Sequence, residues 1–127
     1  MIELKIGLTA TESTSVLYTN TALALGSGSL QVYATPALIA LMEQAACSAI
    51  NNALAPDTTS VGIAMNMTHD AASLPGQKIT ATATLVAIDG KKLTFSITAS
   101  DKQGQIGQAT HQRFIVTTEK FLSKLQK

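Results

Sequence analysis

Few residues in this chain can do chemistry, so those that can are conspicuous. Glu43 is the single charged residue between Glu12 and Asp57. It lies in the middle of Thr35–Ile50, a stretch that is apolar on almost every side of a helix. Taking a carboxylate out of water costs several kcal/mol unless it is paired or protonated. Such an acid therefore needs a partner or a task. Between Asp57 and Lys78 the only titratable residues are His69 and Asp70. His69 follows a β-prone run, and if that strand flanks the helix its imidazole reaches Glu43. A carboxylate–imidazole pair would lower the cost of both groups and supply a general base near neutral pH. The plain alternative is a surface histidine beside a loop.

Two further positions carry polar groups into apolar surroundings. Thr35 precedes Pro36, and that pair reads as an N-cap followed by the proline of a first helical turn. A helix start also presents free N–H groups and a positive dipole end, suited to a developing oxyanion. Arg113 is the only arginine and stands beside Phe114-Ile115-Val116. It either pairs a buried acid, binds an anion or lies exposed on a sheet face. His111, two residues before it, shares its face and reads as structural or exposed.

Other chemistries find no support. Cys47 is the one cysteine, so no intrachain disulfide forms, and its helical setting suits a small core residue. Ser13, Ser15 and Ser48 lie in no Gly-x-Ser-x-Gly motif. The two histidines lack metal-ligand spacing, so no metal is expected. Gly26-Ser27-Gly28-Ser29 is too short for a phosphate loop and reads as a linker or a mobile flap.

The elements that must position these residues follow from pattern. Residues 2–7 suit a short strand or arm, Thr11–Thr19 an extended segment, Thr21–Leu25 a helical turn and Leu30–Ala34 a short strand. The helix runs from Thr35 to about Asn51–Leu54, ~27 Å, and Pro56 ends it. Its apolar circumference must be enclosed, most simply by a sheet. Ser60–Met67 is a strand. Gln77–Asp89 alternates, with Ile79, Ala81, Ala83, Leu85 and Ala87 on one face. Asp89-Gly90-Lys91 turns into Leu93–Ser100, Asp101–Gly104 turns into Gln105–Thr117, and Glu119–Lys127 is an amphipathic helical tail. One long helix wrapped by a curved antiparallel sheet, an α+β domain spanning 1–127, accounts for this order.

The chain of 127 residues is 46% hydrophobic and only 13% charged, which suggests that another subunit covers part of its surface. A net charge of +1 gives no electrostatic case for nucleic acid or a membrane surface. Glu43 interrupts the best apolar run, so no span is expected. The N-terminus lacks a signal-peptide pattern, which points to the cytoplasm.

The ordered set Thr35-Pro36, Glu43 eight residues later and His69 a further 26 on resembles the hot-dog fold thioesterases of the fluoroacetyl-CoA thioesterase type. Gly62 and Arg113 match that family's glycine on the strand before the histidine and its arginine on the last strand. The resemblance covers about Thr11 to Thr118. It implies a hot-dog fold and hydrolysis of an acyl-CoA thioester. Thr35, Glu43 and His69 would be catalytic, with Glu43 as nucleophile or base, and Gly62 and Arg113 would bind substrate. No cofactor is implied beyond the CoA of the substrate. The partner implied is a second copy, a homodimer with sites at its interface, and pairing of dimers into tetramers stays open. One departure matters: the segment Leu23–Leu30 lacks the aromatic lid of the fluoroacetyl-specific enzyme. A short or medium acyl group is expected instead. A non-catalytic hot-dog module binding acyl-CoA, and a hot-dog hydratase or dehydratase, are the competing expectations. Lys91, Lys92, Lys120 and Lys124 are either phosphate contacts or simply solvated.

Overall fold

The computed structural model describes residues 2–126. Five strands form one sheet: β1 (Thr9–Ser15), β2 (Thr58–His69), β3 (Lys78–Asp89), β4 (Lys92–Asp101) and β5 (Gly104–Thr117). Helix α1 (Ala22–Leu25) is a single turn, α2 (Thr35–Ile50) is the long helix, and α3 (Thr118–Leu125) closes the chain. The sheet order is β1-β3-β4-β5-β2, antiparallel throughout. β3, β4 and β5 form a meander because their turns are short. β1 and β2 flank it as the two edges.

Helix α2 packs across one face of the sheet, mainly on β1 and β3 and also on β2. Leu38, Leu41, Met42, Ala45, Ala46, Ala49 and Ile50 are buried there against Ile79, Leu85, Leu93, Phe95 and Ile97. Each large side chain so buried contributes about 1.5–3 kcal/mol. The alanines let helix and sheet approach closely. On the other face of the β1–β3 pair, hydroxyls zip the strands together. Thr9 meets Thr84, Thr11 meets Thr82 and Ser13 meets Thr80, at 2.9–3.1 Å.

Several sequence expectations are corrected by competing local chemistry. Residues 2–7 form no strand. The first strand is Thr9–Ser15, and a 3₁₀ turn at Tyr18–Asn20 follows it, tied by the Asn20 side chain to Leu17 N and Ser15 O. Leu30–Ala34 is bent, with only an isolated bridge from Tyr33 to Thr21. The buried row of β3 stops at Leu85, because a bulge between Leu85 and Ala87 turns Ala87 outward. Thr35 is not the cap of α2: that position belongs to Ala34, with no side-chain bond, and Thr35 is the first helical residue. Nor is α2 enclosed all round. Pro36, Ala40 and Gln44, spaced by four, form an exposed stripe.

Edge strand β2 carries one irregularity that positions the site. Its register with β5 slips between Gly62 and Ala64, so Ile63 is an extra residue. Ahead of the bulge Ser60 and Gly62 face the helix; after it Met65, Met67 and His69 do. Gly62 and His69 are seven residues apart, an odd spacing that a regular strand would split between two faces. The bulge puts both inside. Among the described residues, no helix is long and apolar enough to cross a membrane.

Candidate active site

Within the chain the expected site residues form two clusters. The first joins the start of α2 to the end of β2. Thr35 Oγ1 lies 2.8 Å from His69 Nδ1. The ring of Tyr33 meets that of His69 edge-on, with centroids 6.3 Å apart. Burial lowers the His69 pKa from its ordinary 6.5, and the Asp70 charge opposes that. Burial likewise pushes the Tyr33 phenol up to about 12, so it stays protonated. His69 Nε2 is buried and has no hydrogen-bond partner among the described residues. An orphaned buried nitrogen of this kind costs about 1–3 kcal/mol. Thr35 and His69 also line a cavity of about 220 Å³, walled by Ala22, Ser27, Val32 and Ala72 of the neighbouring loops. The Gly/Ser-rich segment after α1 thus borders a pocket.

The second cluster surrounds Glu43, two helical turns from Thr35 and ~12 Å along the axis. Its Oε2 accepts from Arg113 Nη1 at 3.1 Å. Arg113 is clamped from behind: Nε donates to Ser60 Oγ at 2.8 Å and Nη2 to the Ser60 carbonyl at 3.1 Å. Nη1 also lies 3.2 Å from His111 Nε2. His111 Nδ1 sits 2.7 Å from the Ala64 carbonyl, which can only accept, so Nδ1 carries the proton and Nε2 offers a lone pair to Arg113. Burial pushes the His111 pKa down, the bond to Ala64 opposes this, Arg113 lowers it again and Glu43 raises it. The result is a neutral imidazole holding a cation that holds a carboxylate. Glu43 keeps 40% of its side chain exposed, while His111 keeps 1%.

Gly62 is the floor beneath that carboxylate. A Cβ there would collide with Glu43 Oε2 and crowd Arg113 Nη1 at 3.3 Å. A neighbouring cavity of about 260 Å³ is lined by Ile39, Glu43, Gly62, Met65 and His111.

The expected contact between Glu43 and His69 is therefore not made within the chain. The carboxylate's ionic partner is Arg113, and the neutral His111 ring lies 3.8 Å away. Arg113 does pair a partly buried acid, one of its three expected readings. His111 is not exposed; it is the structural residue of its two expected readings, buried and bracing the Glu43 cluster through Arg113. Ser60 is a further member that sequence reasoning missed. The shared face of residues 111 and 113 was the one available signal. Among the described residues, no three His, Cys, Asp or Glu side chains gather as a metal ion would need.

A long helix laid along a five-stranded antiparallel sheet is the architecture of hot-dog fold thioesterases. The chain belongs to the fluoroacetyl-CoA-specific thioesterase family, which it matches over residues 16–119. It is 38% identical over 96 residues to the fluoroacetyl-CoA thioesterase of Streptantibioticus cattleyicolor, covering 76% of this chain and 69% of that one. A mutant of the fluoroacetyl-CoA-specific thioesterase superposes with a TM-score of 0.92 at 31% identity, over 99% and 98% of the two chains. Another, solved in complex with acetyl-CoA, gives 0.91 at 32% identity over 97% of each. The fold is shared with a Thermus thermophilus thioesterase superfamily member, at a TM-score of 0.89 and 24% identity over 99% and 93%.

Proposed function

We propose that this protein hydrolyses acyl-CoA thioesters with Thr35, Glu43 and His69 as its catalytic set, assembled across a homodimer. The observation that carries the reading is His69: one nitrogen holds the Thr35 hydroxyl, and the other is buried with no partner in its own chain. A carboxylate is the natural complement of that second nitrogen.

A second copy supplies one. β2 is a 12-residue edge strand whose outer backbone groups are free to pair. Beside it lie the half-exposed Ile63 and the open stripe of α2. Antiparallel pairing of β2 with its copy, about a two-fold near Met65 and Asn66, sets Gly62 opposite the partner's His69. Glu43, which sits on Gly62, then meets the orphaned Nε2. The low charge content of the chain agrees with such a covered surface.

In that arrangement Glu43 accepts a hydrogen bond from Nε2–H and orients the ring, while Nδ1 takes the proton of the Thr35 hydroxyl or of water bound to it. The oxygen so activated attacks the thioester carbonyl. The developing oxyanion is met by first-turn N–H groups of α2. The C–S bond breaks, and the departing CoA thiolate takes the proton from His69. A Thr35 ester, if formed, is hydrolysed by a repeat of the same steps. Arg113 and Gly62 hold Glu43 in place, and Gly62 leaves room for the acyl chain. The pocket next to Thr35 and His69 has small side chains on its loops, which favours a short or medium acyl group over selection for fluoroacetyl.

The test mixes two inactive variants. Glu43→Ala and His69→Ala should each release free thiol from an acyl-CoA panel at under one hundredth of the unmodified rate. Refolded together at equal amounts, they should regain about a quarter of it, because mixed dimers rebuild one complete site. Hydrolysis that survives both substitutions sinks the catalytic assignment. Inactive variants that stay inactive when mixed sink the shared site.

A further inference from the structure

Where β5 runs into α3, the chain forms a groove of about 450 Å³ that the catalytic reading leaves unused. Its floor is Phe114, Val116 and Phe121, and its rim carries Lys91, Lys120 and Lys124. We propose that this groove takes the adenosine 3′,5′-bisphosphate end of the acyl-CoA, with adenine on the two phenylalanines and the phosphates on the three lysines. The proposal rests on the thioesterase reading for the identity of its ligand.

Four observations point to this occupant. Phe114 is an aromatic in mid-strand that keeps 39% exposure, an unusual place for an open ring unless something covers it. Base–aromatic stacking is tolerant in geometry and suits such a face. Secondly, the lining holds three cations and no anion, although the chain has nearly balanced charge. Among the described residues no carboxylate lies within ion-pair distance of Lys91, Lys120 or Lys124. Lys92 stands directly opposite Phe114 on β4 and adds a fourth positive charge nearby. A doubly phosphorylated nucleoside complements this set; an apolar partner helix does not. Thirdly, the groove is anchored: Ile115 N bonds the Lys91 carbonyl at 2.9 Å, so the hairpin and β5 present their side chains as one surface. Fourthly, the groove adjoins the Glu43 cluster. Arg113 and Phe114 are consecutive, one facing Glu43 and the other this groove. The end of β2 at Thr58 is four residues from Gly62, ~13 Å along the strand. The groove thus lies one residue along β5 from the Glu43 clamp, on the other face of the sheet.

Calorimetry with adenosine 3′,5′-bisphosphate tests the groove without requiring turnover. The unmodified protein should bind it, with affinity falling as salt rises. Joint replacement Lys91→Ala, Lys120→Ala and Lys124→Ala should weaken binding at least tenfold, and Phe114→Ala at least threefold. All four residues are exposed, so the variants should fold. In parallel, the triple variant should raise KM for acyl-CoA at least tenfold with kcat within twofold. It should leave the same acyl group on N-acetylcysteamine unaffected. A bisphosphate that does not bind, or binds the variants equally well, overturns the proposal. So does a triple variant whose only change is its oligomeric state, which would make the groove a contact between copies. A protein that binds the bisphosphate in the groove yet cleaves no thioester keeps this inference and defeats the thioesterase reading.

Discussion

One oxygen of Glu43 carries most of the site's design. It accepts from Arg113, whose two remaining nitrogen positions are committed to Ser60. A lysine keeps the charge but has a single donor centre and cannot hold both partners. Arg113→Lys should therefore fold normally and lower kcat at least tenfold, read by steady-state thiol release. An unchanged kcat would mean that Glu43 needs no clamp. Gly62→Ala should act more strongly, since its methyl occupies the carboxylate's place. A hundredfold fall in kcat, about 2.7 kcal/mol of lost transition-state stabilisation, is expected. Thr35, Glu43, His69 and Arg113 were visible in the sequence because each is a polar type set in apolar surroundings. Ser60 and the role of His111 were not. Their partnership with Arg113 depends on which residues of β2 face which residues of β5, and that register is set by contacts between distant parts of the chain, from His69 with Gly107 to Thr58 with Thr117.

Register also governs what the elements do. The bulge at Ile63 was invisible in a run that reads as an ordinary strand, yet it is what lets Gly62 and His69 share a face. The Thr35 cap failed for a related reason. The hydroxyl that local geometry offers to a free N–H was taken by an imidazole from another strand. The hairpins and long strands were legible because alternation and turn residues are local signals. Two predictions belong at this level. Ile63→Lys puts a charge on the open edge of β2, a device that blocks strand pairing. It should yield a folded monomer by sedimentation velocity with little thiol release; a variant that stays dimeric and active would remove β2 from the interface. Gly107→Ala drives a methyl into the Thr68 backbone carbonyl across the β2–β5 ladder. Because backbone rather than a flexible side chain must move, about 1–3 kcal/mol of stability should be lost, seen as a lower denaturation midpoint. Unaltered stability would show that the two strands part freely there.

For the molecule as a whole, the sequence led to a rod enclosed by its own sheet, whereas one stripe of α2 lies open. An apolar pattern reports that a surface will be covered, and cannot say by which chain. The interior makes a firmer commitment, through His111. It is buried, donates to the Ala64 carbonyl, faces Arg113 and Glu43, and packs against Phe95 with ring centroids 6.2 Å apart. Its pKa in the fold lies below the ordinary 6.5, chiefly through burial. The unfolded chain therefore takes up a proton at His111 before the folded one does, and stability must fall as the pH drops below that ordinary value. His69, also depressed mainly by burial, acts in the same sense. Between about pH 6.5 and pH 5 the carboxylates have scarcely begun to protonate, so the loss in that window belongs to the histidines. Melting temperature measured across it should decline steadily for the unmodified protein. His111→Gln should start lower, because Arg113 loses its support, and then decline less steeply. Parallel curves for the two proteins would mean that His111 takes up a proton as readily in the fold as in the unfolded chain, and that the neutral imidazole bracing Arg113 against Glu43 is wrong.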